Sequence, residues 1–69
     1  MKIVAVQSTI LVTMSYDVGQ QILQLEFRDQ AVYRYFGVPA NLYQDFLDAP
    51  SKGSYFNRFI RDRFDCVRR

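Results

Sequence analysis

The side chains able to do chemistry in this chain are arginines and tyrosines, because the usual reactive types are missing. The 69 residues include no His and a single Cys, Cys66. Without His there is no Ser-His-Asp or Cys-His arrangement, and one Cys makes neither a disulfide nor a Cys/His zinc site. Asp45 and Asp48 fall on one face of a helical stretch, but two exposed carboxylates are too few oxygen ligands for a hard cation. Catalytic carboxylates need a pocket, and a chain this short has little room for one. The expectation is a protein that is not an enzyme and uses no metal and no cofactor. What remains is binding chemistry, in which guanidinium groups meet phosphates and aromatic rings stack on bases.

Three groups of residues carry that chemistry. In Tyr33-Arg34-Tyr35 the two rings share one face of an extended strand and Arg34 points to the other. In Ser51-Lys52-Gly53 the Ser is a good N-cap, so free backbone N–H groups, a Lys and a Gly that admits close approach come together. An anion-binding corner is one reading; a capped helix start, with Gly53 packed on the preceding helix, is the other. The P-loop spacing is absent, so nucleotide hydrolysis is not indicated. Asn57, Arg58 and Arg61 fall on the solvent side of the helix that follows and form a third candidate. Asp62 and Asp65 stand four residues after Arg58 and Arg61, which would absorb part of that charge along a helix. The net charge of +2 is concentrated there: residues 51–69 hold six basic and two acidic side chains, residues 1–50 three and five.

These groups need elements to position them. A hydrophobic content of 49% argues for a folded chain, and the length for one domain over residues 1–69. Ser8–Tyr16, Ile22–Arg28 and Ala31–Phe36 read as strands from period-two alternation, with turns at Asp17–Gln20 and Asp29-Gln30. Gly19 is the natural residue for a positive φ in the first turn. Val38-Pro39 opens a helix striped by Leu42, Tyr43, Phe46 and Leu47, which Pro50 ends. A second helix runs from Ser51 to about Phe64, striped by Tyr55, Phe56, Phe59, Ile60 and Phe64. The fold class is α+β: a three-stranded antiparallel meander followed by two helices packed on one sheet face. Residues 1–7 form an N-terminal extension or strand, and residues 65–69 a flexible tail.

The fate of Tyr33 and Tyr35 depends on register. A two-residue loop at Asp29-Gln30 sets Leu25 opposite Arg34 and leaves both rings in water as a stacking platform beside Arg28. A loop of Arg28-Asp29-Gln30 sets Leu25 opposite Tyr33 and Leu23 opposite Tyr35, which turns the rings to the core. Burying Arg34 without a partner disfavours the first register, and a left-handed Gln30 is the cost of the second.

The chain resembles the KTSC domain, found alone in small bacterial proteins and as a C-terminal appendage of some lysyl-tRNA synthetases. The resemblance rests on Val6-x-Ser8-x-Ile10, Tyr16-Asp17, Leu23-x-Leu25-x-Phe27, Tyr33-Arg34-Tyr35 and Val38-Pro39. It continues in Ala49-x-Ser51-Lys52-Gly53-x-Tyr55-Phe56-Asn57 and Ile60-Arg61. The family's second turn usually carries a Gly near Gln30, which is absent here. The resemblance implies an RNA-associated role without a defined mechanism. The resulting expectation is a small binding module for RNA, acting through Tyr33, Arg34, Tyr35, Ser51, Lys52, Gly53, Asn57, Arg58 and Arg61. The alternative is a protein-interaction module that uses the open sheet face or an edge strand. No apolar run approaches the roughly 20 residues of a membrane span. Met1–Val6 is too short for a signal peptide, and a cytoplasmic address is expected.

Overall fold

The structure is a computed structural model and describes residues 2–69; Met1, the first residue of the expected N-terminal segment, lies outside the described residues. Chain order is β1 (Lys2–Ala5), β2 (Leu11–Asp17), β3 (Ile22–Phe27), β4 (Val32–Tyr35), α1 (Ala40–Asp48), α2 (Lys52–Tyr55), a π-helical turn (Phe56–Ile60) and β5 (Cys66–Arg68). The strands form one sheet in sequence order, each antiparallel to its neighbour. The expected three-stranded meander is therefore the middle of a five-stranded sheet. The segment expected as a tail is the edge strand β5. It is held by Phe36 N–H donating to the Asp65 carbonyl at 2.9 Å and Arg69 N–H to the Val32 carbonyl at 2.7 Å. The reason is backbone pairing: β5 covers the row of donors and acceptors that β4 would otherwise leave open.

The β3–β4 connection decides the tyrosine register. Gln30 takes φ +72°, and its N–H donates to the Phe27 carbonyl at 3.0 Å, while Phe27 N–H donates to the Ala31 carbonyl at 2.8 Å. This is a three-residue loop closed by a left-handed residue, a common hairpin form. Leu25 consequently pairs with Tyr33, Leu23 with Tyr35 and Gln24 with Arg34. Both rings turn to the helix-covered face and Arg34 to the other, so the exposed stacking platform does not form. The β2–β3 turn differs in detail. Its left-handed residue is Gln21, at φ +56°, two residues after Gly19; Asp17 Oδ1 accepts from Gln20 N–H at 3.1 Å within the turn.

A bulge between Leu11 and Thr13 interrupts the β2 ladder. Strict alternation would put Val12 inside; the bulge brings in Leu11 and keeps Met14 and Tyr16 on the core face. These residues join Leu23, Leu25, Tyr35, Val38, Phe46, Phe56 and Ile60 in one buried cluster. Tyr16 stacks on Tyr43 with centroids 4.7 Å apart and donates its hydroxyl to the Val38 carbonyl, tying β2 to the entry of α1. α1 ends at Ala49, whose extended ψ of 133° is what the following Pro50 demands.

The second helical segment is shorter than its stripe suggests. Its first turn, α2, passes into the π turn, where Arg61 N–H donates to the Phe56 carbonyl at 2.8 Å. Asp62 then takes φ +61° and reverses the chain toward β5. Phe64 reaches the core from the loop and not from the helix. Phe59 is 45% exposed, so it leaves the expected core stripe.

Candidate nucleic-acid interface

The nine residues expected from sequence to act together fall in three separate places. The first is the start of α2. Ser51 Oγ accepts from Ser54 N–H at 3.3 Å and also bonds the Ser54 hydroxyl, completing the N-cap. Lys52 Nζ donates to the Ala49 carbonyl at the end of α1. A cation at a helix C-terminus satisfies a carbonyl and complements the dipole, so one of the three ammonium donors serves the fold. A Cβ on Gly53 would meet Ile10 Cδ1 at 3.5 Å, which shows what the glycine packs against: the chain entering β2, not α1. Ser51-Lys52-Gly53 is thus a structural joint, and the four residues of α2 are too short to carry an anion site. Arg58 belongs to this side. Its guanidinium carbon lies 5.6 Å from the Phe59 ring centroid, beside a shallow dent shared with Pro50, Ser51 and Ser54.

The second place is the uncovered sheet face. One row crosses all five strands there: Ile3, Ser15, Gln24, Arg34, Val67. Arg34 Nε donates to Gln24 Oε1 at 3.0 Å, and Arg69 Nη1 donates to the same oxygen at 3.2 Å. Ile3 and Val67 are exposed at the two ends of the row. Arg34 therefore stands on the opposite side of the sheet from Tyr33 and Tyr35.

The third place is a cleft of about 480 Å³ between the end of β3, the β3–β4 loop and the π turn. Phe27, Phe56 and Ile10 give its apolar surface; Arg28, Asn57, Arg61, Asp29 and Thr9 stand around it. The rings form one connected set: Phe27 meets Phe56 edge-on at 5.4 Å and Tyr33 edge-on at 5.8 Å, and Phe56 meets Tyr35 at 5.9 Å. Edge-to-face pairs are each worth about 0.5–1.5 kcal/mol beyond area burial, so this set is a stiff support. Tyr35 is buried and Tyr33 half-buried beneath it. The pKa of the Tyr35 hydroxyl is pushed up to about 12 by burial, then by the neighbouring Cys66 and Tyr33; nearby Arg61 opposes the rise. Tyr35 is a neutral support at ordinary pH. Arg28 Nε donates to the Ser8 carbonyl at 2.6 Å, which fixes the guanidinium at the rim while using one of its five N–H groups. Because the helical segment ends at Ile60, Arg58 and Arg61 have no helical turn on which to pair with Asp62 and Asp65.

Of the expected residues, the cleft gathers Asn57 and Arg61 at its rim, with Tyr33 and Tyr35 behind its floor. Phe27 and Phe56 are additions that sequence reasoning missed, and Arg28, expected only beside an exposed tyrosine platform, stands here instead. The signal that could have found them is Phe27-Arg28 at a strand end next to a turn, which places a ring and a guanidinium at the mouth of the sheet.

The architecture is that of a small α+β domain: a twisted antiparallel sheet, one face covered by two short helical elements, and an arginine-rimmed aromatic cleft at one end. The chain matches the KTSC domain family over residues 7–64 and belongs to it. It is 46% identical over 61 residues to an uncharacterized protein of Stutzerimonas stutzeri, covering 88% of this chain and 86% of that one. It is 40% identical over 58 residues to a lysine–tRNA ligase of Nostoc punctiforme, covering 84% of this chain but only 10% of the ligase. The crystal structure of a KTSC domain protein from Yersinia pestis superposes with a TM-score of 0.96 at 34% identity, covering 99% of this chain and 96% of that one.

Proposed function

We propose that the chain is a non-catalytic module that associates with RNA, and that binding occurs at the Phe27–Phe56 cleft. The observation that carries this reading is the pairing of an aromatic floor with two rim arginines, Arg28 and Arg61. Bases stack on aromatic faces and phosphates pair with guanidinium groups, and the two are placed side by side here. A KTSC-type stretch within a lysine–tRNA ligase supports the same direction. The helix N-terminal corner is given less weight in this reading, since Lys52 bonds the Ala49 carbonyl. A cytoplasmic address goes with this reading.

The test is a salt titration of oligoribonucleotide binding. For a single strand, the slope of log K against log salt falls by about 0.7 for every phosphate that is no longer neutralised. Arg61→Ala and Arg28→Ala are each expected to flatten it by about that amount and to weaken binding, with the thermal midpoint unchanged in Arg61→Ala and slightly lowered in Arg28→Ala, which also loses the bond to the Ser8 carbonyl. Wild-type slopes in both variants would defeat the proposal. The second reading, a protein partner, is favoured by exposed Ile3 and Val67 at the two edges of the sheet. An apolar interface of that kind would show little salt dependence.

A further inference from the structure

We propose that the cleft takes one unpaired nucleotide, its base against Phe27, which the buried Phe56 backs, and its flanking phosphates on Arg28 and Arg61; this rests on the RNA reading above. Shape is the first support. Proteins that bind double-stranded RNA lay a surface across its wide, shallow minor groove and contact 2′-hydroxyls and phosphates. Here the two arginines stand around an open cleft of about 480 Å³. The second support is the floor. In a duplex the faces of the bases are covered by their neighbours, so rings such as Phe27 reach them only in an unpaired strand. The third is the neutral rim. Thr9 and Asn57 add a hydroxyl and a carboxamide to the cleft lining. Asp29, the acidic rim residue, has Oδ1 tied to Ala31 N–H at 3.0 Å and so serves its own turn.

The floor is also held in place independently of any ligand. Phe27 rests on Tyr33 and Phe56, and Phe56 on Tyr35, so the surface does not reorganise when a base arrives. The arginines come from different elements: the Arg28 guanidinium is held by the Ser8 carbonyl, and the Arg61 backbone is fixed by its bond to Phe56.

The experiment uses the full chain and three probes in fluorescence anisotropy at one salt concentration. They are a short single-stranded oligoribonucleotide of mixed sequence, the same strand annealed to its complement, and the same strand with its central bases removed and its phosphates kept. The expected result is binding about tenfold tighter for the intact single strand than for either other probe, the scale of one stacked base. Phe27→Leu keeps the apolar character and removes the ring; it is expected to erase that preference while binding to the base-free strand stays as in the wild type. Equal binding of all three probes would leave the RNA reading standing and overturn the unpaired nucleotide. A preference that survives in a folded Phe27→Leu chain would overturn it too. Absence of binding to every probe would overturn both.

Discussion

The two ends of the second helical segment differ in what their polar groups do. At the first turn, Ser51 caps Ser54, Lys52 holds the Ala49 carbonyl, and Gly53 lies against Ile10. The Ser51 cap closes the turn itself, and Lys52 and Gly53 join it to its neighbours. At the last turn, Phe56 and Ile60 anchor the chain from below, and Asn57 and Arg61 are left at the rim of a cleft. Charge and exposure therefore do not by themselves mark a site. Lys52 looks from sequence like the better phosphate ligand, next to a cap and a glycine. Its ammonium already has a structural partner, while Arg61, beside a reversal of the chain, does not share a helix with one.

Changes at the two ends should separate accordingly. The largest effect is expected at the anchor of the last turn. Ile60 is fully buried, and Ile60→Ala should cost about 2–5 kcal/mol of unfolding free energy, read by denaturant titration. Loss of RNA binding should follow loss of the fold. A second effect is alkaline. The pKa of Tyr35, under the last turn, is raised to about 12 by burial, and that of Tyr55, at the first turn, is raised by burial and then by Asp45. A raised hydroxyl pKa favours the protonated, folded state. That stability is complete below pH 10 and is lost as pH climbs from 10 toward about 12. Tyr35→Phe should flatten the decline of the thermal midpoint over that window; an unaltered decline would count against the burial of this hydroxyl. The smallest effect belongs to the first turn. Ser51→Ala should cost about 1 kcal/mol through loss of the cap and leave RNA affinity and salt slope as they are. A drop in affinity there would reopen the anion-binding corner.

Much of the middle of the fold is legible in the sequence because it obeys simple periods. Leu23, Leu25 and Phe27 alternate with polar residues, Val38-Pro39 and Pro50 bracket α1, and the cost of burying Arg34 points to the register that forms. What escapes is set by interactions between distant parts of the chain. β5 has three residues, all exposed, and no pattern distinguishes it from a tail; β4 makes it a strand by offering an unpaired edge. The bulge at Leu11–Thr13 is invisible to strict alternation. The helical stripe extends to Phe64 in the sequence because Phe64 does pack on the core, but after a left-handed Asp62 has turned the chain. The candidate site is half legible for the same reason. Asn57 and Arg61 are found from their helix face, whereas Phe27 and Arg28 join them only once the β3–β4 loop is folded against the π turn.

The most direct test locates the bound strand. In a heteronuclear NMR titration of the uniformly labelled chain with a short single-stranded oligoribonucleotide, amide shifts should concentrate at Thr9, Phe27, Arg28, Asn57 and Arg61. Residues Ser51 to Ser54 and the open-face row at Gln24, Arg34 and Val67 should stay where they are. Shifts confined to the α2 start or to the open sheet face would contradict the account.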